Sequence, residues 1–202
     1  MFYSVIKALG YPLFHLLFLF RVRYIGKENM PKEGPVIVCC NHLFALDPCF
    51  LIAMFRRKIS FMAKEELFRH KFANWFLRKM KVFPVSRNEA DVDAVKTSLR
   101  TLKNGEVLGI FPEGHRQQEG RERDVPHGGT VMFAAKTKAT ILPVTITGTN
   151  GRVRLFHKVI VKCGKPIPYE ELGLVSADKA EYNRVSAEIM AQIYKTKDEL
   201  DA

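Results

Sequence analysis

Gly34-Pro35-Val36-Ile37-Val38-Cys39-Cys40-Asn41-His42-Leu43-Phe44-Ala45-Leu46-Asp47-Pro48 is the stretch on which the fold turns. A short, unbroken apolar run after Gly-Pro reads as a buried strand. Asp47-Pro48 reads as the start of a helix, with Asp as N-cap and Pro at the first helical position. Between them, Asn41 and His42 sit just past a strand end, where open α/β sheets usually bind their ligands.

The same alternation continues outward. Apolar runs at 59–63, 82–85, 107–111, 141–146 and 159–163 read as further strands. Residues 65–80 read as a helix with Phe68, Phe72, Phe76 and Met80 every four residues. Residues 89–103 form an amphipathic helix with Val92, Val95, Leu99 and Leu102 on one face, stopped by Asn104-Gly105. A helix over 130–136 and a last one from Ala177, with Tyr182, Val185, Ile189 and Ile193 on one stripe, complete the pattern. Strands alternating with helices predict an α/β fold with a mostly parallel central sheet flanked by helices. The polar stretch 114–129 is the one long loop.

Residues 1–20 differ from the rest. Lys7 is their only Lys, Arg, Asp or Glu, and residues 12–20 read PLFHLLFLF. Twenty helical residues would reach about 30 Å, the hydrocarbon thickness of a bilayer. Lys7, Gly10, Pro12 and His15 interrupt the run, so the expected element is a membrane-associating helix lying in one leaflet. Arg21 and Arg23 follow where cations meet phosphate headgroups. The plainer alternative is a core helix. The expected organisation is thus 1–20 as N-terminal helix and 21–202 as one domain.

Lys and Arg outnumber Asp and Glu by 32 to 21, a formal charge of +11. That excess favours a polyanionic partner. No RRM, KH or zinc-finger pattern is present, so the expectation is anionic lipid and no nucleic acid. Cys39, Cys40, Cys49 and Cys163 form no C-x-x-C pair. Free thiols in a reducing, cytosolic setting fit better than zinc or disulfides, and no three-ligand metal set is visible. Arg56-Arg57-Lys58 reads as a solvated charge run. The aromatic, basic helix at 65–81 reads equally as core packing or as a membrane-surface element.

His42 and Asp47 are five residues apart, about 500° around an ideal helix, so they meet only if the chain turns between them. If they do, neutral imidazole can take a proton from an attacking hydroxyl while the carboxylate fixes its tautomer. Other polar groups recur at strand ends. Phe111-Pro112-Glu113-Gly114-His115-Arg116 follows one strand, with Gly114 allowing close backbone approach and Arg116 able to grip a phosphate. Glu113 could orient Arg116 or another cation. Phe83-Pro84-Val85-Ser86-Arg87 and Lys64 place further cations after two more strands.

Asn41-His42-x4-Asp47, Phe83 to Arg87, Phe111 to Arg116 and Leu142-Pro143-Val144 resemble the four ordered blocks of the glycerolipid acyltransferases. The nearest resemblance is to the 1-acyl-sn-glycerol-3-phosphate acyltransferases, and it runs from about Arg21 to Gly164. It implies that His42 is the general base and Asp47 its partner. Asn41, Lys64, Arg87, Glu113, Gly114, His115, Arg116 and Pro143 become candidate substrate-binding residues, with no metal. It further implies a fatty acyl group moved from acyl-CoA or acyl carrier protein, as donor substrate and not bound cofactor, to the sn-2 hydroxyl of lysophosphatidic acid. The product would be phosphatidic acid for phospholipid synthesis, made on the cytoplasmic face of a membrane. Glycerol-3-phosphate or another lysolipid is the alternative acceptor, and a non-enzymatic anionic-lipid-binding module is the alternative class. Lys81 stands where the family often has glycine, His115 where it has a small hydroxyl residue, and Gln117 where it frequently has serine. No G-x-S-x-G is present, so a covalent acyl-enzyme is not expected.

Overall fold

Every residue of β2 (Val36–Cys40) is buried because layers of side chains cover both its faces. Val36, Val38 and Cys40 join one apolar cluster, Ile37 and Cys39 the other. This alternation follows from the two-residue period of a strand. The structure, a computed structural model, describes residues 2–17, 21–86, 91–117 and 126–201.

The remaining elements, in chain order around β2, are α1 (Phe2–Leu17), β1 (Val22–Ile25), α2 (Asp47–Met54), β3 (Ile59–Lys64), α3 (Lys71–Lys79), β4 (Val82–Val85), α4 (Val92–Lys103), β5 (Val107–Ile110), α5 (Gly129–Thr137), β6 (Thr140–Gly148), β7 (Val159–Cys163) and α6 (Lys179–Asp201). Among the described residues seven strands form one sheet in the order β1-β7-β6-β2-β5-β3-β4. Only β6 and β7 pair antiparallel. The mostly parallel α/β fold expected from the alternation is therefore present. β2, β5, β3 and β4 run side by side in one direction, so the turns leaving their C-terminal ends share one edge.

Phe50, Leu51 and Met54 of α2 pack on one face of the sheet. Residues of α4, α5 and α6 pack on the other, among them Leu102, Val131, Phe133, Val185 and Ile193. Three buried apolar side chains contribute roughly 5–9 kcal/mol. That anchors an eight-residue helix which would be marginal alone, and fixes where its first carboxylate points.

Several boundaries differ from expectation for local reasons. The segment 65–80 is a 3₁₀ turn, Glu65–Phe68, then α3, because His70 takes an extended conformation (φ −82°, ψ 129°). Its aromatic stripe is consequently split: Phe68 and Met80 are buried, while Phe72 is 75% exposed. α4 starts at Val92 because Asp91, not a residue near 89, caps it by accepting from Ala94 N at 2.8 Å. β1 escapes the apolar-run rule, being four residues with Arg23 in the middle. Arg57 is no solvated charge. Its guanidinium donates to the carbonyls of Pro31, Glu33, Gly34 and Gly105, stapling loops at the edge opposite the strand ends described above.

Lys81 takes a left-handed conformation, φ 62°, where a glycine costs least. Its ammonium pairs with Glu106 at 2.7 Å.

The first turns of α1 dock on the domain. Tyr3 is buried, with its hydroxyl accepting from Ile59 N at 3.3 Å, and Lys7 donates to Phe55 O. The Phe2 ring meets Trp75 edge-on at 5.1 Å. The core-helix alternative thus holds for this first part, while Leu9 and Leu16 further along are exposed. Among the described residues, no helix is long and apolar enough to cross a membrane.

Candidate active site

Asn41 ends β2 with both ends of its carboxamide spent inside the fold. Nδ2 donates to Ile146 O and Oδ1 accepts from Ile146 N, each at 2.8 Å. A side chain thereby replaces a strand's backbone pairing with β6, letting the main chain leave the sheet without orphaning buried polar groups. Its role is to hold the framework from which the next residue projects.

That residue is His42. The chain turns back on itself, with Asp47 N donating to Phe44 O at 3.0 Å, and brings the carboxylate under the ring. His42 Nδ1 and Asp47 Oδ2 lie 2.8 Å apart. The same oxygen accepts from Leu43 N at 2.7 Å and Phe44 N at 2.8 Å. Asp47 is fully buried, whereas the His42 side chain keeps 18% of its surface open. Asp47 is therefore not the N-cap expected from Asp-Pro. Leu46 takes that position and Asp47 is the first helical residue, its carboxylate turned away to the preceding turn. With Nδ1 held as the donor to a carboxylate, Nε2 at the opposite edge of the ring is the acceptor for a proton.

The ring also rests on a column of aromatics. His42 stacks on Phe111 with centroids 4.2 Å apart, and Phe111 stacks on Phe61 at 6.2 Å. Phe61 lies flat because Gly109, its register partner, has no side chain. A Cβ there would stand 2.1 Å from Phe61 Cε1.

The turn after β5 is clasped to His42 at both ends. Glu113 Oε1 accepts from His42 N at 3.4 Å, and Gln117 N donates to His42 O at 2.8 Å. Gly114, His115 and Arg116 lie between those ties. The turn itself closes through Gly114 N to Phe111 O at 2.9 Å, and Gly114 takes φ 71°. His115 and Arg116 reach outward and are exposed; Glu113 is drawn inward. Rather than orienting a cation with Oε1, Glu113 accepts from the Tyr194 hydroxyl of α6. Burial pushes its carboxyl above the ordinary range, against the lowering pull of the Tyr194 and His42 hydrogen bonds. Its Oε2 is buried with no hydrogen-bond partner among the described residues.

Lys64 ends β3 on the same edge and is exposed. Arg87 lies outside the described residues. Pro143 is in the middle of β6, opposite Cys39, away from the strand end. It stands where β7 leaves the ladder, so its missing N–H orphans nothing, and its carbonyl accepts from Gly164 N at 2.8 Å.

Two participants had no usable sequence signal. Tyr194 is 81 residues from its partner Glu113. His127, isolated in sequence, lies beside the turn: its ring atoms stand 3.4–3.5 Å from where a Gly114 Cβ would be, and its N–H donates to Pro112 O. The neighbouring Gly128 serves helix packing, since a Cβ there would meet Tyr182 and Asn183 of α6 within 3.0 Å.

Burial works against each thiol as a nucleophile. Burial raises Cys39 and Cys40 far above the usual thiol range and pushes Cys49 up to about 11 and Cys163 up to about 12. At neutral pH all four stay protonated. Among the described residues no three His, Cys, Asp or Glu side chains gather to hold a metal ion. What the edge offers is a base with a fixed tautomer, beside a loop that presents a guanidinium.

Residues 21–147 match the Acyltransferase family. The chain is 35% identical over 150 residues to the 1-acyl-sn-glycerol-3-phosphate acyltransferase of Bacillus subtilis, covering 72% of this chain and 73% of that protein. It is 39% identical over 131 residues to the protein of that name from Borreliella burgdorferi, covering 62% of this chain and 50% of the relative. Among solved structures, the 1-acyl-sn-glycerophosphate (LPA) acyltransferase from Thermotoga maritima superposes with a TM-score of 0.74 at 26% identity, over 99% of this chain and 80% of that one.

Proposed function

Because the chain belongs to the acyltransferase family, we propose that it moves a fatty acyl group from a thioester donor to the sn-2 hydroxyl of lysophosphatidic acid. The observation that carries this reading is the 2.8 Å contact between His42 Nδ1 and a fully buried Asp47, clasped against the turn that presents Arg116. The names of the Bacillus and Borreliella relatives support the acceptor.

In this mechanism His42 Nε2 takes the hydroxyl proton as the lipid oxygen attacks the thioester carbonyl carbon. Asp47 stabilises the imidazolium that forms. The tetrahedral intermediate collapses with cleavage of the C–S bond, and the departing sulfur takes the proton from Nε2. Ester and free thiol leave, and neutral imidazole is restored. Arg116, with Arg87 and Lys64 as further candidates, holds the acceptor phosphate. Protonated cysteines support direct transfer over an acyl-enzyme.

The donor is acyl-CoA or acylated carrier protein, and the product, phosphatidic acid, feeds phospholipid synthesis. The enzyme works at the cytoplasmic face of a membrane, a reading supported by the apolar α1, the net charge of +11 and the free thiols. Purified full-length protein, given each donor in turn with lysophosphatidic acid, glycerol-3-phosphate and other lysolipids, tests all of this. Fastest turnover with lysophosphatidic acid is expected. Turnover confined to another acceptor would replace the substrate, and none with any pair would leave the lipid-binding alternative.

A further inference from the structure

The connection from β6 to β7 emerges on the edge that carries His42, because β6 runs parallel to β2. Its tip is a turn, Arg154-Leu155-Phe156-His157, closed by His157 N donating to Arg154 O at 3.4 Å and by the His157 ring bonding Leu155 O at 2.9 Å. Leu155 is 39% exposed and Phe156 53%. Phe156 takes φ 64°, the left-handed conformation that glycine or asparagine normally supplies at such a corner. A bulky residue held there is unfavourable, and such strain persists where it serves a purpose. The loop is nonetheless well rooted, since Val153 and Val159 are buried at its two ends.

The surroundings state what this tip meets. Arg152, Arg154, His157 and Lys158 flank it, all exposed. β1 starts at the same edge, Arg21 O accepting from Val159 N at 3.0 Å, so Arg21 and Arg23 stand beside Lys158. Arg21, Val22, Arg23 and Lys158 line an open hollow of about 420 Å³. No Asp or Glu occurs from residue 125 to 169, nor before Glu28. Asp201, near Gly151 at the loop's base, is paired with Lys197 at 2.6 Å.

We infer that the β6–β7 loop is a membrane-insertion tip: Leu155 and Phe156 enter an anionic bilayer while Arg154, Lys158, Arg21 and Arg23 engage its phosphate headgroups. Apolar residues ringed by cations suit the boundary between acyl chains and headgroups. A soluble protein partner would have to answer the four cations Arg21, Arg23, Arg154 and Lys158 with carboxylates, whereas an anionic leaflet supplies negative charge by composition. The placement turns the His42 edge toward the lipid surface. For its purpose the inference rests on the proposed lipid acceptor, but binding is measured without turnover, so either can fail alone.

The test is cosedimentation of the full chain with vesicles of phosphatidylcholine, with and without about 30% phosphatidylglycerol. Arg154→Ala/Lys158→Ala should weaken binding to the anionic vesicles about 25-fold, roughly fivefold per cation. Leu155→Ser/Phe156→Gly should weaken it about tenfold or more, while Val175→Ser, a control on a distant exposed residue, should not. Phe156→Gly alone should raise the thermal midpoint as it lowers binding; a residue needed only for structure would lower the midpoint and leave binding unchanged. A fluorophore on Leu155→Cys should shift its emission to the blue on anionic vesicles. Unchanged partitioning in both double variants, or unshifted emission while the protein cosediments, would overturn the inference. So would loss of turnover by the loop variants on a short-chain acceptor below its micelle concentration, since the loop would then serve the site itself.

Discussion

Two turns leave neighbouring parallel strands and are built in opposite ways. After β2, polar groups are directed inward: Asn41 bonds Ile146 through both ends of its carboxamide, and Asp47 Oδ2 serves Leu43, Phe44 and His42 together. After β5, Glu113 turns in, while His115 and Arg116 are exposed. Proton transfer tolerates little positional error, and a base must be held before substrate arrives. Capture of a diffusing phosphate needs reach and exposure. Under the proposed function the contrast separates a chemical half of the site from a gripping half, and the two halves predict different kinetic faults.

The largest fault belongs to the β2 turn. His42→Ala should lower kcat about 10³–10⁴-fold with the acceptor KM nearly unchanged, and Asp47→Asn should approach that loss by releasing the tautomer. Persisting turnover in His42→Ala would dissolve the distinction between the turns. Next comes the β5 turn: Arg116→Ala should raise acceptor KM about 10–100-fold, the worth of a charged hydrogen bond, with kcat little altered. A kcat fall as large as that of His42→Ala would place Arg116 in the chemical half instead.

Glu113 links the halves, and pH exposes its state. Its carboxyl is raised in the fold, so the stability this group contributes is complete below its unfolded value near 4.5 and is lost as pH climbs through the raised value. Glu113→Gln removes that titration. The thermal midpoint of the native protein should therefore fall relative to Glu113→Gln as pH rises, and a constant difference would mean the carboxyl is not raised. The smallest effect lies outside both turns. Lys81→Gly should stabilise by a few tenths to about 1 kcal/mol in denaturant unfolding, because relief of a left-handed lysine exceeds the loss of a half-exposed ion pair. Destabilisation would give the Lys81–Glu106 pair more weight than surface pairs usually carry.

Legibility in the sequence followed the range of the interaction. β2 was readable to its ends because a strand covered on both faces must be apolar throughout, and turn residues bracket it; β4, half-buried at the sheet edge, and β7, alternately buried, were readable from their short Val-rich runs. His42 and Asp47 were readable because five residues of chain contain the whole geometry. The Asp47 cap was misread for want of a competing fact: two free N–H groups in the preceding turn outbid the helix for the carboxylate. The 65–80 segment kept a helical period through a break that only His70's backbone reveals. The column from Gly109 through Phe61 and Phe111 to His42, and the Tyr194 bond, were invisible because each joins strands or helices far apart in the chain.

The Tyr194 bond has a consequence for the order of synthesis. Tyr194 lies beyond the family-matched residues 21–147, and 81 residues of polypeptide separate its hydroxyl from Glu113. A ribosome has therefore delivered the base, its carboxylate and the guanidinium long before the wall behind them exists. Until α6 emerges and docks, Glu113 lacks the Tyr194 hydroxyl, and the turn that clasps His42 stands without that partner.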